Sequence, residues 1–209
     1  MKNTVAMQAR ARRAGLIFLT VEVCYVASLL ISMSGPEVLH RPAVALPVLA
    51  SSATIAVAWA FYELLKPVNQ GLASMAFLFR VAEATLFGVY AVFSLVLLRT
   101  ASSGPPGQDA TVIALAKQAQ FDLGQVAQIY FSGGSAIFFY LLQKSRVIPR
   151  AVAAFGLVAT TAGLASALAE IGAPAVATYM ALSGPLQLLA ALTTGVALLV
   201  TGRRRQILS

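Results

Sequence analysis

Residues 72–98 read LASMAFLFRVAEATLFGVYAVFSLVLL, an apolar run whose only charged side chains are Arg80 and Glu83. At about 1.5 Å per residue, a helix of this length covers roughly 40 Å, more than the ~30 Å hydrocarbon core of a bilayer. One face carries Ala76, Arg80, Glu83, Phe87 and Tyr90, so the two charges lie on the same side, one turn apart. Inserting a central Arg or Asp costs roughly 2.5–3.5 kcal/mol, and the pair about 5–7 kcal/mol with Glu taken as similar. The Leu, Val and Phe residues of the run return roughly 4–8 kcal/mol on the same scale. Alone, the run inserts near break-even, so its charges need partners inside a helix bundle.

Working outward, runs of similar length cover 14–33, 44–65, 121–142, 151–171 and 176–200. The breaks between them hold Gly35-Pro36 to Arg41-Pro42, Lys66 to Gly71, Thr100 to Gln108, Lys144 to Arg150, and Gly172-Ala173-Pro174. Each supplies the Pro, Gly or charge that ends a helix or faces headgroups. The basic amino terminus leads into a run too long for a signal-peptide h-region, with no A-x-A site before Ser34-Gly35-Pro36, so it reads as a retained anchor. The expected fold is an all-α membrane protein, six transmembrane helices in a compact bundle forming one transmembrane domain over 1–209.

Composition agrees. Of 209 residues, 59% are hydrophobic and 11% charged, with a mean hydropathy of +0.82. A soluble domain carries about a quarter charged residues, and a disordered chain is poor in apolar ones. The net charge of +8 looks like a nucleic-acid signal until its positions are read. Lys2, Arg10, Arg12, Arg13, Lys66, Lys144, Arg146, Arg150 and Arg203 to Arg205 fall on one side of a six-span topology. Arg41, Arg99 and Lys117 fall on the other. That asymmetry places both termini in the cytoplasm, and no basic face interleaved with aromatics calls for nucleic acid. With one His (His40) and one Cys (Cys24), an intrachain disulfide, a bis-His haem and a His/Cys zinc site are excluded. No cofactor or metal is expected.

Glu22 lies eight residues into the first run, and Arg80 eight residues past Leu72, so both sit roughly 12 Å deep. We expect a buried polar cluster of Glu22, Arg80 and Glu83, with net charge −1 when both carboxyls are ionised. A structural latch between spans one and three is one reading of it. A proton or substrate site is the other, because ionisable groups inside a membrane mark functional positions. In span four Gln118, Asp122, Gln125, Gln128, Ser132 and Ser135 recur on one face. Asp122, Gln125, Gln128 and Ser132 form a candidate polar path towards Arg80, unless the stretch before Phe121 simply lies at the interface. Gly133-Gly134 permits a close helix crossing, and Gly156, Thr160, Gly163 and Ala167 read as a packing seam in span five. Gly184-Pro185 and Gln187 in span six read as a kink.

Tyr62-Glu63-Leu64-Leu65-Lys66-Pro67-Val68-Asn69 followed by Phe79-Arg80-Val81-Ala82-Glu83-Ala84 resembles a bacterial membrane family, domain of unknown function 4386. Tyr140-Leu141-Leu142-Gln143-Lys144-Ser145-Arg146-Val147-Ile148-Pro149-Arg150, leading into Ala153-Ala154-Phe155-Gly156, is similar to it as well. The resemblance covers about Arg13 to Val200. It implies a multi-span protein of the bacterial inner membrane, without catalytic or binding residues to carry over.

No Gly-x-Ser-x-Gly, His-Glu-x-x-His, P-loop or Rossmann fingerprint occurs, and we expect no enzyme. The expected function is a non-enzymatic polytopic inner-membrane protein, an accessory or binding subunit or a binder of a lipid-like ligand. Its candidate partners are membrane lipids, another membrane protein or a second copy of the chain. The alternative is a small proton-linked transporter or permease using Glu22, Arg80 and Glu83.

Overall fold

The computed structural model describes residues 2–33, 42–102, 110–173 and 183–204, and all but the tight turns among them are helical. The helices are α1 (Lys2–Met33), α2 (Pro42–Leu65), α3 (Gln70–Ser102), α4 (Ala110–Ser145), α5 (Arg150–Gly172) and α6 (Ser183–Arg204). Three stretches are long and apolar enough to cross a membrane: Gln70–Thr100, Arg150–Gly172 and Ser183–Thr201. The breaks over 34–41 and 103–109, with His40 and Arg41, and the start of the expected sixth span over 174–182 lie outside the described residues.

Two tight turns set the hairpins. After α2, Val68 and Asn69 donate their backbone N–H groups to the Leu65 carbonyl, and the Asn69 side chain accepts from Leu72 N–H at 3.0 Å, capping α3. After α4, Arg146 takes a left-handed backbone with φ 55°, Val147 N–H donates to the Ser145 hydroxyl, and Pro149 precedes α5. These are the Lys-Pro-Val-Asn and Ile-Pro-Arg stretches.

Each helix packs on its neighbours in the chain, and α6 packs back on α1, so the six close into a ring. Among apolar surroundings the drive for this packing is close contact rather than escape from water. At Gly134 an added Cβ would lie 2.9 Å from Phe79 Cβ and 3.1 Å from the Ala76 carbonyl, so only glycine lets α4 approach α3 this closely. Within the ring Phe18, Phe61 and Phe138 stack edge to face and tilted, at 5.3 and 5.4 Å between centroids. Leu64, Leu65, Leu141 and Leu142 are fully buried beneath the two turns.

Two boundaries depart from expectation: α1 starts at Lys2, twelve residues before the expected Ala14. α4 starts at Ala110, eleven residues before the expected Phe121. With 36 residues it is about 54 Å long, well beyond the ~30 Å of hydrocarbon. The polar Lys117, Gln118 and Gln120 lower the hydropathy here without ending the helix, and Gln120 Nε2 donates to Ser94 Oγ of α3 at 2.6 Å. Pro185 stands in the first described turn of α6. A proline there costs no intrahelical hydrogen bond within the described helix.

Candidate functional site

The spacing on α3 brings Arg80 and Glu83 together as the sequence pattern requires. Arg80 Nη1 lies 2.7 Å from Glu83 Oε2, with both side chains less than a tenth exposed. The pair is close but not aligned as a hydrogen bond, and neither atom makes one with any other of the described residues. The guanidinium lies over the Phe131 ring of α4, 4.5 Å from its centroid. A desolvated cation on an aromatic face gains roughly 2 kcal/mol. Arg80 is therefore held by its own helix and by an aromatic ring, not by an ion pair to another helix.

Glu22 of α1 does not reach the guanidinium within the 4.0 Å of an ion pair. It lines the same central cavity as Arg80, about 40 Å³ in volume. All six helices contribute side chains to that cavity. Its polar walls are Glu22, Arg80, Ser135 of α4, Thr160 of α5 and Gln187 of α6. The rest is apolar, with Phe18, Phe61, Phe131, Phe138 and Phe139 prominent. The Thr160 hydroxyl donates to the Gly156 carbonyl at 2.8 Å, which leaves its oxygen lone pairs to face the cavity as acceptors.

The stripe on α4 divides in two. Asp122 is exposed and accepts from Gln118 Nε2 at 2.9 Å, about 15 Å along the helix from Ser132. Gln125 is half-buried between these two parts. Deeper in, Gln128 Nε2 donates both to Ser132 Oγ at 3.1 Å and to Gln187 Oε1 at 3.0 Å. Gln187 thus joins the α4 stripe to the cavity, while its Nε2 is buried without a hydrogen-bond partner among the described residues. Gly163 makes the position possible, because a Cβ there would collide with Gln187 Nε2. Sequence reasoning assigned Gln187 to a kink and Gly163 to a seam. A lone glutamine in an apolar run was the available signal, but its fit against Gly163 belongs to two helices at once.

Among the described residues no group of three His, Cys, Asp or Glu side chains could hold a metal ion, and Cys24 is exposed. A carboxylate, a guanidinium, an amide and two hydroxyls around a small cavity can bind, solvate or pass a proton, and they include no paired nucleophile and base.

A family model described as a domain of unknown function, DUF4386, matches residues 13–202. Neither the curated proteins nor the solved structures contain a match to the chain.

Proposed function

Because the chain belongs to the DUF4386 family, whose description assigns no activity, we propose from its own residues that it is a small proton-linked transporter or permease using Glu22, Arg80 and Glu83. The observation that carries this reading is the missing latch. An ion pair that tied α1 to α3 would account for the buried charges structurally. Instead Arg80 pairs within α3, and Glu22 faces it across a cavity. Burying two charges carries a desolvation penalty that a well-packed apolar pair avoids. Charges kept in a membrane without an ion pair between helices mark a working site.

The size of the cavity favours this reading over a lipid-like ligand. A volume of about 40 Å³ falls well short of the ~150 Å³ that admits a benzene ring. The five phenylalanines favour a second reading, a non-enzymatic subunit that binds the apolar part of a ligand entering between helices. Both readings place the protein in the bacterial inner membrane, with six spans, both termini in the cytoplasm and lipids as its immediate partners. The distribution of Lys and Arg supports that topology.

The test is proton flux in vesicles reconstituted with the purified protein. Flux above that of empty vesicles, reduced at least tenfold by Glu22→Gln and by Glu83→Gln, supports the proposal. No flux from folded protein, together with a retained ligand in native mass spectrometry, transfers the cavity to the binding reading.

A further inference from the structure

We infer that the central cavity is a water-binding site, holding roughly three water molecules that join the Glu22 carboxylate of α1 to the Arg80 guanidinium of α3 and the Gln187 amide of α6. Volume and lining carry it together. A water needs about 10–15 Å³ of such space and two to four polar partners. About 40 Å³ lies between five polar side chains drawn from α1, α3, α4, α5 and α6. Cavities lined by Leu, Ile and Phe alone stay dry, and this one differs by having Glu22, Arg80, Ser135, Thr160 and Gln187 in its wall.

Hydrogen-bond capacity points the same way. Among the described residues, Arg80 Nη1 and Gln187 Nε2 are buried donors without a hydrogen-bond partner, Nη1 having only its ion-pair contact with Glu83, and their residues are only 6% and 7% exposed. The Glu22 carboxylate and the Thr160 oxygen supply acceptors. Water alone is small enough and serves both as donor and as acceptor, so it satisfies all of them without adding charge. A bridging water costs at most ~2 kcal/mol in ordering entropy, no more than an unpaired buried donor costs. Gln187 is the anchor of this cluster, because Gln128 holds its Oε1 and so aims the amide. Gly163 leaves the space it occupies. This deepens the proton-linked reading by naming what connects Glu22 to Arg80, and its test stands apart from flux.

The test is X-ray hydroxyl-radical footprinting of the full-length protein in lipid nanodiscs, where radicals form from water already at the site. Phe138 and Phe139 are 6% and 7% exposed, so ordinary solvent does not label them. We expect both to be oxidised in the native protein at rates near those of exposed residues, and at least fivefold more slowly in Gln187→Leu. Unlabelled phenylalanines in the native protein overturn the inference, and equal labelling in Gln187→Leu overturns the role of Gln187 as anchor. Should that variant not fold, water-to-protein polarisation transfer in solid-state NMR of the native protein decides. Fast transfer to the Arg80 guanidinium and the Gln187 amide supports the site, and transfer no faster than to buried backbone amides refutes it. A hydrated cavity without proton flux removes the transport reading alone. Flux through a dry cavity removes this inference alone.

Discussion

Among the described residues, two ion pairs of the same spacing stand in opposite surroundings. Glu63 and Lys66 meet at 2.5 Å where α2 ends, with side chains 27% and 36% exposed. Arg80 and Glu83 meet at 2.7 Å inside the ring, with side chains 8% and 5% exposed. Each joins residues three apart, so neither fastens one helix to another. At the surface such a pair is worth about 0–1 kcal/mol and costs little to keep. In the interior its desolvation penalty amounts to several kcal/mol per ion. The same geometry is thus near neutral in one place and expensive in the other, and of these four residues only Arg80 lines the cavity. Spacing alone does not mark a site. Spacing combined with burial and with no ion pair between helices does.

Removing one partner separates the two pairs most sharply. Arg80→Leu or Glu83→Leu leaves an uncompensated buried charge, and we expect about 3–5 kcal/mol of lost stability, measured by unfolding in mixed micelles. A loss below 1 kcal/mol would mean that water already solvates each charge separately.

A smaller effect follows at Gly163. Gly163→Ala drives a methyl group into Gln187 and should destabilise by roughly 1–3 kcal/mol, the usual cost of overpacking. Adding Gln187→Ala should recover most of the loss. A double-mutant cycle without coupling between the two positions would place Gln187 elsewhere.

The smallest change belongs to the surface pair. Lys66→Ala should cost no more than about 1 kcal/mol, and less at high salt. The Lys66 ammonium also lies 5.5 Å from the Tyr62 ring centroid, a contact of similar modest size when exposed. A loss as large as that at Arg80 would erase the distinction between the two pairs.

Much of this architecture was legible in the sequence because membrane helices announce themselves by hydropathy. α2, α3 and α5 lie within a few residues of the expected runs. The amino-terminal part of α4 was not legible, since Lys117, Gln118 and Gln120 resemble a loop in composition. The helix persists there through Gln120 bonding across to Ser94. Arg80 and Glu83 on one face followed from helical periodicity, and the equal depth of Glu22 and Arg80 put them on a common level. What periodicity could not supply was lateral geometry: Arg80 over Phe131, Glu22 across a cavity instead of in contact, and Gln187 fitted against Gly163. Those depend on how six helices close into a ring.

The most direct test of a working role for the buried pair is the double replacement Arg80→Met with Glu83→Leu, reconstituted in vesicles. Apolar side chains of similar volume should keep or raise stability, as replacement of buried ion pairs often does. We expect a folded protein, at least as stable as the native one, whose proton flux falls to that of empty vesicles. Native flux from that folded variant would contradict the central claim and leave the charges without a function in transport.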